Sequence, residues 1–261
     1  MPVIRLATES FASTLFGHFR KRIRLARGSN ELLCVNLGSA HRAPRNWLNL
    51  DRSANVLIDR IPGLAAALYA VRLLPKEQFD NFRTGRWRAV HFWDARYPIP
   101  VSTATTDYIY TSHFLEHLTV GTADRVLQEC FRILKPGGII RLVVPDLYLI
   151  SQQYVSVIQG LETLGRSRPD TVLYLTTQIR VDELSESFAA QFFEKTLERQ
   201  RLFGHRWMYD KWSLRRALER VGFTGVTEKP YQQGSPPDLK DLDCRPSNSL
   251  HMEARKPART N

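Results

Sequence analysis

The chain of 261 residues carries 37 Lys+Arg against 26 Asp+Glu, a formal net charge of +11, with 43% hydrophobic and 24% charged residues. This composition excludes a disordered or fibrous protein and suits one large α/β domain with an insertion, not two independent enzymes. Taken whole, the charge points to nucleic acid or an anionic membrane, yet residues 1–30 hold six basic residues against one acidic and residues 253–261 three against one, leaving 28 against 24 in the body.

The three cysteines, Cys34, Cys130 and Cys244, form neither a disulfide framework nor a CxxC metal site and suit a reducing compartment. The cytoplasm is the expected location. The longest apolar stretch, Gly63 to Leu74, is too short for a bilayer and contains Arg72, and the N-terminus lacks a secretory h-region.

Residues 9–27 read as an amphipathic helix, because Phe11, Leu15, Phe19 and Ile23 recur every four residues and Arg20, Lys21, Arg24 and Arg27 lie largely elsewhere. Leu32 to Leu37 has the pattern of a buried strand and runs into Gly38-Ser39-Ala40. A second strand, Trp47 to Leu50, ends at Asp51. A partly apolar helical segment is expected at 60–74, and a third strand, Arg88 to Trp93, ends at Asp94. Tyr108 to Ser112 is the fourth strand, and Thr122 is the expected cap of a helix from Ala123 to Leu134. Lys135-Pro136-Gly137-Gly138 then turns into Ile139 to Val144, a run suited to a sheet buried on both faces. After a helical cap-like region reaching about Phe203, a helix is expected over Trp212–Val221, with final strands near Thr224–Pro230 and Ser249–Ala254.

Alternating strands and helices imply parallel βαβ units and a doubly wound sheet, in which ligands bind beyond the carboxyl ends of the strands. Those ends are Gly38-Ser39, Asp51, Asp94, Ser112-His113 and Asp146. Glycine at 38 lets the backbone turn sharply beside a ligand. A carboxylate at Asp51 can accept both hydroxyls of a ribose diol, and one at Asp94 can accept an exocyclic amine such as adenine's. Each carboxylate alone is as well explained by a cap or turn; a glycine and two carboxylates at three consecutive strand ends are not.

At these residues the chain resembles the class I S-adenosylmethionine-dependent methyltransferases. The resemblance runs through Val35 to Ala40, Trp47 to Asp51, Asp94, Asp107 to Leu118, Arg132 to Gly138 and Val143 to Asp146. With Gly204 to Asp210 and Ser213-Leu214, it is most similar to predicted bacterial methyltransferases associated with surface polysaccharide synthesis. It implies an α/β fold: a doubly wound, Rossmann-like, seven-stranded mixed sheet with a cap insertion and an N-terminal helix. Residues 1–30 would be a basic amphipathic helix, 31–256 the methyltransferase domain with its insertion at about 147–203, and 257–261 a basic tail.

The resemblance also implies S-adenosylmethionine as cofactor, bound by Asn36, Gly38, Ser39, Ala40, Asp51, Asp94, Ala95, Ser112 and His113. Gly38 to Ala40 would pass under the methionine part, Asp51 would hold the ribose, Asp94 and Ala95 would flank adenine, and Ser112 and His113 would line the methyl end. Two departures stand out: Asn36 where many members are acidic, and Ala40 in place of the second glycine of a G-x-G turn. Gly38 and Asp51 are thirteen residues apart, and G-S-A-H-R-A lacks further glycines, which disfavours a dinucleotide-binding dehydrogenase.

Methyl transfer to a hydroxyl needs alignment and a base. His113 and Asp146 are the catalytic candidates. His205, Trp207, Tyr209 and Asp210 are candidates for binding the acceptor, although Trp207 and Met208 equally suit a core and Asp210 a helix cap. His113-Phe-Leu-Glu116-His117 matches the letters of a zinc-peptidase motif. That motif needs one continuous helix through both histidines, whereas His113 follows a strand, so no metal is expected and Glu116 and His117 read as structural.

The insertion carries six basic residues against eight acidic ones between 145 and 203, which disfavours a nucleic-acid acceptor. A glycan or small-molecule acceptor is expected, with O-methylation of a sugar or surface-glycan hydroxyl as the leading reading. The alternatives are a degenerate, non-catalytic scaffold of a glycan-assembly complex and a methyltransferase acting on RNA or a small molecule. The N-terminal helix has two readings, packing on the domain or docking peripherally on an anionic membrane's inner face.

Overall fold

The computed structural model describes residues 32–159 and 205–258. The expected N-terminal helix and most of the expected cap insertion lie outside them. In chain order the elements are β1 (Cys34–Leu37), β2 (Leu48–Asp51), α1 (Ala54–Asp59), α2 (Leu64–Ala70), α3 (Lys76–Arg83), β3 (Val90–Phe92), β4 (Thr106–Ser112) and a 3-10 turn (Leu115–His117). There follow α4 (Val120–Ile133), β5 (Leu134–Pro145), α5 (Leu147–Ile158), α6 (Lys211–Val221), β6 (Thr224–Glu228), α7 (Leu239–Leu242) and β7 (Ser249–Arg255).

The strands form one seven-stranded sheet in the order β3-β2-β1-β4-β5-β7-β6. β1 to β5 are parallel, and β7 runs antiparallel to both β5 and β6. This is the doubly wound mixed sheet that the sequence pattern implies. The order reverses between β1 and β4, so the loops leaving these two strands part on opposite sides of a crevice, where an open α/β sheet takes its ligand.

Alternation along the strands divides the core. Val35, Leu37, Ile109, Ile140, Leu142 and Val144 are packed with Val126, Leu127 and Cys130 of α4 and Leu214 and Leu218 of α6. On the other face Cys34, Tyr110 and Val143 meet Trp47, Leu239 and Leu242. That second face also buries Arg141, which is fully enclosed. Its guanidinium donates to Asp243 at 2.5 and 3.3 Å, to Glu253 at 3.1 Å and to the carbonyls of Gln233 and Pro230. A buried charge persists only when paired and hydrogen-bonded in this way, and the cluster ties β5 and β7 to the segment before α7 and to Asp243 at that helix's end.

Three local expectations are corrected. The helical stretch expected at 60–74 is the shorter α2, entered through Gly63 at φ +77°, and a separate helix not expected from the sequence, α1, precedes it, capped by Ser53. α4 begins three residues before Ala123, and its cap is Thr119, whose hydroxyl accepts the N–H of Thr122, not Thr122 itself. Gly121 in the first turn hides that start, since glycine is a poor helix former. Finally, α3 was not foreseen; it exists to place Phe82 against Trp87, Val56, Leu74 and Val90 at the sheet's β3 edge. Among the described residues no helix is long and apolar enough to cross a membrane.

Candidate active site

The five strand ends singled out in the sequence meet along one rim of the sheet. At the end of β1, Gly38 (φ +66°) and Ala40 (φ +45°) both adopt the left-handed conformation. Gly38 also lies under the ring of Phe114: a Cβ on it would sit 2.7 Å from two ring atoms. The turn is pinned to β2, because the Gly38 N–H donates to the Leu50 carbonyl at 2.8 Å and the Ala40 N–H donates to Asp51 Oδ2 at 2.7 Å. Ala40 therefore holds a conformation that costs an alanine roughly 1 kcal/mol and a glycine nothing. This is the physical reason a glycine commonly fills such a place.

Asp51 is partly buried at the end of β2. Its Oδ2 takes the Ala40 N–H and its Oδ1 the Ser53 N–H, each at 2.7 Å. Burial pushes its carboxyl above the usual range, partly offset by those two N–H groups. Each oxygen keeps a further lone pair, so the two together can still accept a vicinal diol.

Asn36 stands near the end of β1, two residues before Gly38. It is buried within β1, and its amide donates to the Arg42 carbonyl at 3.0 Å and to Asn49 Oδ1 at 3.1 Å. Asn49 in turn donates to the carbonyls of Pro44, Trp47 and Ala89. The pair fastens the 38–47 turn from beneath. Ser39, also buried, donates its N–H to Leu50 O at 3.3 Å.

Asp94, after β3, is 5% exposed and is gripped by Arg52 Nε at 3.0 Å and Arg96 Nη2 at 2.7 Å. Burial alone would raise its carboxyl, but the two arginines outweigh it and hold the group below the ordinary range. Ala95 next to it packs against the core.

The loop after β4 carries Ser112, partly buried at the strand end, and His113, whose φ of +49° turns the chain over the sheet. The His113 N–H donates to the Val143 carbonyl, its Nδ1 lies 3.3 Å from Glu116 Oε1, and its Nε2 lies 3.1 Å from Ser249 Oγ. His113 and His117 do not share a helix, since only Leu115–His117 forms a single 3-10 turn.

Asp146 caps α5 by accepting the Tyr148 N–H at 3.0 Å, and burial raises its carboxyl. Tyr209 bridges to Asp146, and its carbonyl accepts the Leu147 N–H. Its ring is core, with the hydroxyl pushed up to about 12 by burial. Asp210 is the N-cap of α6 in a reciprocal box with Ser213, the capping alternative weighed in the sequence. Met208 is buried, whereas Trp207 is 43% exposed. The Arg206 and Trp207 N–H groups both donate to the Glu116 carbonyl, at 2.7 and 3.2 Å, which brings His205 to the β4 loop.

Phe114 and Trp93, whose ring centroids lie 6.1 Å apart, wall this rim and were not picked out in the sequence. Their only signal there is position, each next to a strand end. Nothing in the sequence foretells that Ser249 and His205 reach His113 and Glu116, because those pairings are made by β7 and by the strand-like residue Tyr209.

The mixed sheet's reversal between β1 and β4, the acid at the β2 end and the tight glycine turn after β1 make this rim the ligand edge of an open, doubly wound α/β sheet. Residues 48–228 match the family model described as Methyltransferase domain, and the chain belongs to that family. S-Adenosylmethionine is its cofactor, and the donor set at Gly38–Ala40 and Asp51 fits that molecule's chain and ribose.

Similar solved structures include a S-adenosylmethionine-dependent methyltransferase from Archaeoglobus fulgidus, 13% identical over 97% of this chain and 94% of that one, TM-score 0.44. A S-adenosylmethionine-dependent methyltransferase from Thermotoga maritima is 15% identical over 97% of both chains, TM-score 0.42. Phosphoethanolamine N-methyltransferase 2 of Haemonchus contortus, in complex with S-adenosylmethionine, is 13% identical over 89% of this chain and 50% of that one, TM-score 0.43. No curated protein matches the chain.

Proposed function

We propose that the protein O-methylates a hydroxyl of a sugar or cell-surface glycan, with His113 as the base. The observation that carries this reading is the arrangement around His113. The ring stands at the carboxyl end of β4, with the buried Glu116 carboxylate 3.3 Å from Nδ1 and Ser249 Oγ 3.1 Å from Nε2. A carboxylate at ion-pair distance behind one nitrogen would stabilise the imidazolium formed when the other nitrogen takes a proton. Asp146 serves that role less well, because its carboxylate is engaged in capping α5.

S-Adenosylmethionine supplies an electrophilic methyl group on a sulfonium. Asp51 would accept the ribose hydroxyls, Gly38 to Ala40 would give the methionine part room to pass, and the Asp94 loop, anchored by Arg52 and Arg96, would set Ala95 beside the adenine. His113 would take the acceptor hydroxyl's proton as that oxygen receives the methyl group.

Exposed rings near the strand ends support a carbohydrate acceptor. Trp207 is 43% and Tyr148 60% exposed, and flat aromatic faces beside polar groups suit the mixed apolar and hydroxylated faces of a sugar. The acidic balance of the insertion opposes a phosphate backbone as acceptor.

The test is methylation of a panel of mono- and oligosaccharides with S-adenosylmethionine, read by mass spectrometry and S-adenosylhomocysteine release. His113→Ala is expected to abolish transfer while S-adenosylhomocysteine still binds. Methylation of RNA but no saccharide, or full transfer by the His113→Ala protein, would overturn the proposal.

A further inference from the structure

The methyl-transfer chemistry leaves Glu116 incompletely explained. Its side chain has no exposed surface, and neither carboxylate oxygen accepts a hydrogen bond among the described residues. An ionised carboxylate taken from water costs several kcal/mol unless a cation compensates it. Imidazoles surround this one. His113 Nδ1 lies 3.3 Å and His117 Nε2 4.0 Å from Oε1, and one donor atom from each of Glu116, His117 and His205 lies within 4.8 Å of the others.

The backbone fixes this meeting. Leu115–His117 is a 3-10 turn whose Glu116 carbonyl receives the N–H groups of Arg206 and Trp207. His205 is thereby held beside His117, with ring centroids 5.3 Å apart and planes inclined at 58°. That inclination is not a stacked pair, and both histidines are partly exposed, so an ion can reach them from solvent.

We infer that Glu116, His117 and His205 bind a divalent transition-metal cation of the zinc class. Two imidazole nitrogens and one carboxylate oxygen form a donor set that suits zinc and its neighbours, leaving a fourth position open; magnesium and calcium prefer oxygen alone. Zinc bonds of about 2.1 Å set tetrahedral edges near ~3.4 Å. The ligands therefore close by about an ångström, a movement within reach of rotation about the part-exposed histidine side chains. Glu116 is the central donor, and the ion supplies a cation against a carboxylate that accepts no hydrogen bond among the described residues. The zinc-peptidase lettering pairs His113 with His117; the fold brings in His205, from the segment before α6, in place of His113. The ion's role rests on the methyl-transfer reading: its open position would hold and polarise the acceptor hydroxyl near His113.

The experiment uses the full-length, tag-free chain, stripped with chelator and titrated with Zn²⁺ by calorimetry and with Co²⁺ by visible absorption. The expected result is one equivalent bound at micromolar or lower concentration, weakened at least about tenfold by His205→Ala and by Glu116→Gln. S-Adenosylhomocysteine affinity, measured on the same samples, is expected to stay within about twofold in His205→Ala, because His205 stands apart from Asp51 and Gly38. Absence of stoichiometric binding, or undiminished binding in both variants, would overturn the metal site. Loss of S-adenosylhomocysteine binding by the unaltered protein would instead overturn the methyl-transfer reading and leave the metal result to stand by itself.

Discussion

Removing the Asp51 carboxylate gives the most direct measure of the cofactor site. In the folded protein each of its oxygens already accepts one backbone N–H, from Ala40 and from Ser53, at 2.7 Å. Two lone pairs remain for the ribose diol. A hydrogen bond to a charged group contributes about 1.5–3 kcal/mol, so losing both ribose contacts in Asp51→Ala costs about 3 kcal/mol or more, which is roughly a 150-fold loss of affinity. Asp51→Asn should lose nearly as much, since its amide nitrogen must face either the Ala40 or the Ser53 N–H, donor against donor. Calorimetric titration with S-adenosylhomocysteine measures both variants, and near-ultraviolet circular dichroism checks that the fold survives. The pH dependence has a definite sign. Burial raises the Asp51 carboxyl, binding needs the ionised form, and affinity therefore falls on acidification at a higher pH than an exposed aspartate would give. Full affinity in Asp51→Ala would refute the placement of ribose at the end of β2.

Gly38→Ala puts a Cβ 2.7 Å from the Phe114 ring at φ +66°; the left-handed conformation and the overpacking together cost about 2–4 kcal/mol, and denaturant unfolding should show it alongside weaker S-adenosylhomocysteine binding. A variant of unaltered stability would mean that Phe114 moves aside freely. Arg141→Met strands the buried carboxylates of Asp243 and Glu253, a loss of about 3–5 kcal/mol, seen as a fall in Tm of roughly 10 °C; a shift below 2 °C or so would show that the carboxylates protonate at little cost. Asp94, held below the ordinary carboxylate range despite its burial, contributes stability that is fully present above that range and is lost as pH falls through its lowered value. Urea titrations between neutral and acid pH should show this limb, and Asp94→Asn should flatten it; an unchanged acid limb would mean that the pairing with Arg52 and Arg96 adds nothing.

The sheet was legible in the sequence because its evidence is local. A strand buried on both faces reads as a mostly apolar run, and Cys34 to Leu37 and Ile139 to Val144 are such runs, each with one polar residue, Asn36 or Arg141, that the fold buries with partners. Polar residues and a glycine follow the strands at their carboxyl ends, which places Gly38, Asp51, Asp94, His113 and Asp146 on one rim from the sequence alone. The helices between β2 and β3 were less legible. α1, α2 and α3 are held by their packing around Trp87 and Val90, a tertiary cause that periodicity over short windows does not carry.

Side-chain roles were legible only where one element decides them. Asp210 reads as a cap from its spacing to Ser213, and the structure uses it so. Asn36, by contrast, is a strand residue whose amide is spent on Arg42 and Asn49, and only the register of β1 on β2 reveals that the two asparagines face each other. Glu116 carries the same lesson further. From the sequence its nearest partners are His113 and His117, and one helix through all three would make a peptidase-like site; the strand that ends at Ser112 forbids that helix. What restores a three-donor cluster is a pair of backbone hydrogen bonds from Arg206 and Trp207 to the Glu116 carbonyl. Such contacts depend on no side-chain type, so no motif can encode them. A site built this way is found by asking which fully buried carboxylate accepts no hydrogen bond, and among the described residues that question leads to Glu116.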